Sequence, residues 1–259
     1  MSSLPPEVLD LIIDHLHDEP VTLKTCCVIS KSWVPRTRKH LFAYVEFYYE
    51  ESREPRIDLW KKTFPDPSNS PARHTRRLFI DGLPIDSTDA IAGDWIRTFR
   101  SVECLEFWNA AHASLIPFHA LSPVVRSLRL TFFSTEVFDL ICSFPLLEDL
   151  EIDVDLPVSG GDERSAPLTS PKLTGSLCLW IGGWTGPVTR RLLALPGGLH
   201  FSKVNVMFVD HEAESTRNLV FRCSDTLASL TVGYHPSGVF LSAPVSDWYL
   251  TTARACRHT

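Results

Sequence analysis

Side chains able to do chemistry are plentiful in this chain, but few of them stand at the spacings that chemistry requires. The sequence has 259 residues, with ten histidines and seven cysteines spread along it. His112 and His119 are seven apart, not the i, i+4 placement by which two imidazoles on one helix face grip a metal ion. Cys26 and Cys27 are adjacent inside an apolar stretch, so they do not make the Cys-x-x-Cys clasp of a zinc site. Asp81, Asp86, Asp89 and Asp94 lack the loop spacing and the closing glutamate of a calcium site. The glycines of LWIGGWTGPV have neither the G-x-G-x-x-G pattern nor a following Lys-Ser/Thr, and read as a turn rather than a phosphate cradle. The sequence therefore points away from an enzyme, and it calls for no metal and no cofactor.

Two charged groups remain. Arg73, Arg76 and Arg77 are the candidates for a phosphate contact, although a solvated edge accounts for them. Glu148, Asp149, Glu151, Asp153 and Asp155 form an acidic run. If a strand holds that far, 149, 151, 153 and 155 share one face and make a negative patch. Such a patch is either a plain solvated face or an attraction for a basic segment of another protein.

Bulk properties narrow the class further. Apolar residues make up 44 % of the chain, enough for a sizeable core, and the net charge of −6 argues against a nucleic-acid binder. The opening MSSLPPEVLD is not a secretory leader, and no run reaches the ~18 apolar residues of a membrane span. The cysteines (26, 27, 104, 142, 178, 223 and 256) are scattered and odd in number, as expected of buried free thiols in a reducing compartment. A soluble intracellular protein, cytoplasmic or nuclear, is the expectation.

The elements that would position any site fall into two kinds. In LPPEVLDLIIDHL, residues 4–16, Val8, Leu9, Ile12, Ile13 and Leu16 recur at helical steps behind Pro6, a residue suited to a first helical turn. Pro20 opens a second short helix with Leu23, Cys26, Cys27 and Ile29. A third, capped by Ser30 or Ser32, sets Trp33, Val34, Thr37 and Leu41 on one side and Lys31, Arg36, Arg38 and Lys39 in water. Three helices in about forty residues make a marginal core, so the unit either docks on the rest of the chain or completes its burial with a partner. Residues 1–42 hold five acidic and five basic side chains, which leaves no net field for phosphate.

The order Leu4-Pro5-Pro6-Glu7-Val8-Leu9, Ile12-Ile13, Leu16, Leu23, CCVISKSW and Arg38-Lys39-His40-Leu41-Phe42 resembles the F-box motif, particularly that of fungal F-box-like proteins. The resemblance covers residues 2–44. It implies a trihelical unit that binds the S-phase-kinase-associated adaptor protein of a cullin–RING ubiquitin ligase, while the remaining chain captures a substrate protein. The adaptor contacts it implies are Leu4, Pro5, Pro6, Val8, Leu9, Ile12 and Ile13, with Leu23 and Trp33 shared between contact and core. Leu16 and Leu41 are assigned to core.

Behind the helices a polar connector (residues 50–74) carries one short helix with Ile57, Leu59, Trp60 and Phe64, and then Pro65, Pro67 and Pro71. Beyond it one small phrase returns: Arg77-Leu78-Phe79-Ile80, Cys104-Leu105-Glu106-Phe107, Ser127-Leu128-Arg129-Leu130, Asp149-Leu150-Glu151-Ile152, Ser176-Leu177-Cys178-Leu179, Lys203-Val204-Asn205-Val206 and Ser229-Leu230-Thr231-Val232. Counted between the first apolar residues, the steps are 27, 23, 22, 27, 27 and 26. That interval is the one expected of leucine-rich repeats. Helices are expected between phrases at 88–100 (Trp95, Ile96, Phe99) and 135–143 (Val137, Phe138, Ile141, Cys142, with Ser134 as cap). The asparagine of the repeat consensus is absent after most phrases, Asn109 being the nearest, and a long polar loop follows Ile152.

The expected architecture is a mixed fold. A small N-terminal trihelical F-box-like unit (1–44) and a connector (45–74) precede an α/β leucine-rich-repeat-like solenoid with a parallel curved sheet (75–250) and a tail (251–259). Trp248, Tyr249 and Leu250 would cover the last repeat, a thin cap of the kind a short or truncated member carries. The middle positions of the strands, Phe79, Glu106, Arg129, Glu151, Cys178, Asn205 and Thr231, are expected to line the exposed recognition surface for a substrate protein. The implied function is the substrate-recognition subunit of a ubiquitin ligase. The alternatives are a scaffold or regulatory binding protein, or a repeat protein whose helices merely cap the array.

Overall fold

Among the described residues, strand pairing follows chain order from the first strand to the last. The computed structural model describes residues 5–48, 56–82, 95–108, 115–121, 123–131, 136–154, 172–181, 185–208, 213–234 and 249–253. Eight strands, β1 (Tyr44–Tyr48), β2 (Arg77–Asp81), β3 (Cys104–Trp108), β4 (Ser127–Leu130), β5 (Asp149–Val154), β6 (Ser176–Ile181), β7 (Lys203–Phe208) and β8 (Ser229–Tyr234), lie side by side and parallel. A ninth, β9 (Tyr249–Ala253), pairs antiparallel with β8. The seven phrases expected from the sequence are β2 to β8. β1 was not expected: Val45 precedes Leu78 by 33 residues, outside the interval of the other phrases, so the sheet begins inside the segment assigned as connector. β9 was not expected either.

The register explains why the phrase recurs. Val45, Leu78, Leu105, Leu128, Leu150, Leu177, Val204 and Leu230 stand side by side in one column, two residues before a second column of Phe47, Ile80, Phe107, Leu130, Ile152, Leu179, Val206 and Val232. Alternation along a strand sends both columns to the same side. There they share one core with Val137, Phe138 and Ile141 of α5 (Glu136–Ser143), Val188 and Leu192 of α6 (Thr185–Leu193), and Leu219 of α7 (Ala213–Arg222). Where the 88–100 helix was expected, the described part forms only a 3-10 turn, Ile96–Thr98, yet Trp95, Ile96 and Phe99 are buried as their spacing requires. Ser134, Asn109 and most of the loop after Ile152 lie outside the described residues.

Just before six of the strands, β1 to β4, β6 and β7, one backbone carbonyl accepts two consecutive amides from the next unit. Ala43 accepts from Arg76 and Arg77 (2.8 and 3.0 Å), Arg76 from Glu103 and Cys104, Glu103 from Arg126 and Ser127, Arg126 from Glu148 and Asp149, Gly175 from Ser202 and Lys203, and Ser202 from Ala228 and Ser229. The side chains of this row alternate in charge, with Arg76 paired to Glu103 and Arg126 to Glu148, each at 2.5 Å. Gly175 breaks the row for a steric reason. Its φ is +67°, and a Cβ there would stand 2.1 Å from the carbonyl oxygen of Glu148.

The N-terminal helices are α1 (Pro6–His15), α2 (Pro20–Ile29) and α3 (Val34–Leu41). Neither Ser30 nor Ser32 caps α3. Trp33 takes that place with no side-chain cap, while the Ser30 hydroxyl accepts from the Ser32 amide at 3.3 Å. α3 packs on α1, on α2 and on the 3-10 turn Pro71–His74 that leads into β2. Phe42, at the end of α3, meets Trp60 of α4 (Arg56–Thr63) at 5.8 Å and Phe64 at 6.2 Å, and Phe47 of β1 meets Trp60, Trp95 and Phe99 edge-on. Of the two fates open to a marginal helical unit, docking on the following domain is therefore realised, through α3.

Gly175→Ala combines a left-handed φ with a backbone clash, and should destabilise the fold by about 3 kcal/mol or more. In thermal denaturation followed by circular dichroism this is a fall in Tm of roughly 6 °C or more; an unchanged Tm would contradict the close approach of Glu148.

Candidate partner-binding surfaces

In α1 the apolar stripe read from the sequence divides in two. Ile13 is buried at 2 % exposure, and Leu9 and Leu16 are half-buried on the same inward side. Val8 and Ile12 point outward, 39 % and 45 % exposed, together with Leu11, and Pro5 and Pro6 are exposed at the helix entrance. Steps of three and four run within each set, Leu9 to Ile13 to Leu16 inward and Val8 to Leu11 and Ile12 outward. In α2, Leu23 and Cys26 are buried while Val21, Val28 and Ile29 are largely bare. Of the contact residues implied by the resemblance, Ile13 is instead buried inside the helical unit, while Leu23, implied as shared between contact and core, is buried as its core part requires. Trp33 is half-buried, and Leu4 lies outside the described residues. Leu11, Val21 and Ile29 are exposed as well, although the resemblance implied no contact there; the helical period sets Leu11 three residues from Val8.

Asp14 holds this unit together and was also missed. Its carboxylate accepts from Arg36 Nε at 2.6 Å and from a second guanidinium nitrogen, and its Oδ1 lies 2.7 Å from His40 Nε2. Arg36 was expected to face water. It is instead half-buried, because the Asp14 carboxylate reaches it across from α1. The hydrogen bonds from Arg36, then those from His40, hold the Asp14 carboxyl well below its ordinary value of 3.8, and Asp14 in turn raises Arg36.

The second surface is the side of the sheet turned away from the shared core. It carries the middle positions of the strands, and on β2 and β3 they are not exposed as expected. Phe79 is 7 % exposed because it packs between Tyr48 and Trp108, with ring centroids at 5.4 and 5.6 Å. Glu106 is 4 % exposed because Arg77 of the neighbouring strand bonds it at 2.5 Å. Arg129, Glu151, Cys178, Asn205 and Thr231 are half-buried in one row. Arg129 bonds Glu151 at 3.1 Å and lies 6.0 Å from the centre of the Trp108 ring. The acidic run separates accordingly. Asp149, Glu151 and Asp153 share this side on β5, Glu148 pairs with Arg126 before the strand, and Asp155 is outside the described residues.

The six described cysteines are free. Burial, then the nearby Glu151 carboxylate, pushes the Cys178 thiol up to about 12, and burial pushes Cys142 up to about 11, so neither is a thiolate at neutral pH. Among the described residues no three His, Cys, Asp or Glu side chains are grouped to hold a metal ion, and no helix is long and apolar enough to cross a membrane. In comparisons with family models, curated proteins and solved structures, no match was found.

Asp14→Asn should cost about 1 kcal/mol at neutral pH, the usual scale for a partly exposed ion pair. A carboxyl whose pKa is lowered on folding stabilises above its unfolded value, and that contribution fades as the pH falls through the folded value. The gap in Tm between the native chain and the variant should therefore be full at pH 7 and narrow progressively below about pH 4. A gap that does not change with pH would show that Asp14 acts by packing alone.

Proposed function

We propose that this chain is the substrate-recruiting subunit of a cullin–RING ubiquitin ligase. In this reading the N-terminal helices are an F-box-like unit that binds the S-phase-kinase-associated adaptor protein. The sheet domain is a degenerate leucine-rich-repeat array that binds a target protein and raises its concentration near the ubiquitin-loading machinery. The observation that carries the proposal is the bare apolar surface of α1 and α2. Val8, Leu11, Ile12, Val21, Val28 and Ile29 are all between 39 % and 86 % exposed on a unit that already has its own buried residues. Exposed apolar residues concentrated on so small a unit mark a surface meant to be covered. Phrase steps of 22 to 27 residues and eight parallel strands paired in chain order support the repeat reading.

A second reading has its own support. The docking of α3 on Pro71–His74 and the aromatic cluster around Trp60 suit helices that serve only to cap the first strand. The two readings separate on α1, whose outward face a cap does not use.

Val8→Asp combined with Ile12→Asp places two charges on that outward face. Pull-down of the full chain with purified adaptor should succeed for the native protein and fail for the double variant, while the Tm of the two stays within about 2 °C, as for surface substitutions. No capture of adaptor by the native chain would overturn the proposal, and loss of folding in the variant would favour the cap.

A further inference from the structure

Positive charge is concentrated in one part of a chain that is negative overall. Residues 31–77 carry eleven lysines and arginines against six acidic residues, while the whole chain has a net charge of −6. Within this stretch α3 and the 3-10 turn Pro71–His74 pack against each other. Together they hold Arg36, Arg38, Lys39, His40, Arg73 and His74, and no carboxylate.

Some of the basic groups in and next to these elements are already matched. Arg36 and His40 turn to Asp14 of α1. Arg76 is paired with Glu103 and Arg77 with Glu106. Asp66, the acid that precedes the turn, is committed to Ser68 and Asn69. Arg38, Lys39 and Arg73 are left, and among the described residues none of them is paired with a carboxylate. Arg38 and Arg73 are exposed, and Lys39 is half-buried.

His74 shows that the three act at one place. Burial, then Arg73, Lys39 and Arg38, hold its imidazole below the ordinary value of 6.5, and every charged group acting on it is a cation. Arg73 donates from Nε to His74 Nε2 at 3.2 Å, a bond that requires this nitrogen to be unprotonated. Like charges gathered without a counter-charge repel one another, and an oxyanion brought among them is attracted by all.

We infer that the junction of α3 with the turn Pro71–His74 binds an acidic segment of a partner protein, its carboxylates held by Arg38, Lys39 and Arg73 with His74 as a further donor. A carboxylate that accepts from Arg73 draws the guanidinium off His74 Nε2. The imidazole then takes a proton from solvent and donates to the same anion, so binding and proton uptake are linked. Nucleic acid is the poorer fit. Its phosphates continue past the patch, and α1, packed on α3, carries Glu7, Asp10 and Asp14 with no lysine or arginine.

The test uses the full chain and a fluorescein-labelled synthetic peptide of Glu-Gly-Ser repeats, with an Arg-Gly-Ser peptide of equal length, read by fluorescence anisotropy. The glutamate peptide should bind and the arginine peptide should not, and binding should weaken as salt is raised. Arg73→Gln should weaken it about threefold, and Arg73→Gln combined with Lys39→Gln about tenfold, the scale of exposed ion pairs. Arg217→Gln, on the exposed side of α7, should leave it unchanged. Lowering the pH from about 8 to about 6 should tighten binding to the native chain, because His74 protonates more readily beside an anion, and His74→Gln should lose most of that gain. Equal binding of the two peptides, glutamate binding that the double substitution does not alter, or a pH response unchanged in His74→Gln overturns the inference. So does a labelled oligothymidylate of equal charge that binds as tightly as the glutamate peptide, which would assign the patch to nucleic acid. Should His74→Gln fail to fold, the double substitution decides alone. None of these measurements involves the adaptor, so their outcome stands apart from that of the pull-down.

Discussion

Everything in this molecule depends on neighbouring strands pairing with no stagger. Leu78 stands beside Leu105, Leu105 beside Leu128, and Leu128 beside Leu150, so two apolar columns run unbroken from β1 to β8. A slip of one residue between any pair would turn a whole strand over and set its apolar residues on the open side. Because each strand joins the sheet next to its predecessor, the helices that cross back share a core with the columns. The opposite side is left to Trp108, Arg129, Glu151 and Asp153. Fold and recognition surface are thus the two faces of one register.

The repeated part of that arrangement was legible in the sequence because a column of leucines at similar intervals is periodic along the chain. What broke the period was hidden. Tyr44–Tyr48 alternates like any strand, but the helix and two 3-10 turns inserted before β2 lengthen the step to 33 residues. Tyr249–Ala253 returns antiparallel and has no successor to set an interval. Side-chain environments across strands were hidden for a different reason. Phe79 and Glu106 stand at the right place in the phrase, yet their burial is decided by Tyr48, Trp108 and Arg77 on other strands, which no single phrase contains. Asp14 is the same case, since its partners lie 22 and 26 residues away on α3.

The helical unit divides its labour between helices. α3 turns inward to Pro71–His74 and, through Phe42, to the aromatic cluster of Trp60 and Phe64, so the unit is packed against the sheet domain. α1 is fastened to α3 by Asp14, which leaves the outward faces of α1 and α2 presented rather than consumed.

The row of side chains just before the strands has a consequence for how such an array can change length. Arg76, Glu103, Arg126 and Glu148 alternate in sign at a spacing of about 4.8 Å between strands. Excising the unit that carries Glu103 would bring Arg76 against Arg126, which keeps Glu148 on its far side, so Arg76 would lose its partner and face a like charge. Excising two units restores Arg76 to a glutamate, Glu148. Along this stretch, loss of two neighbouring units would therefore keep the charge pairing that loss of one would break.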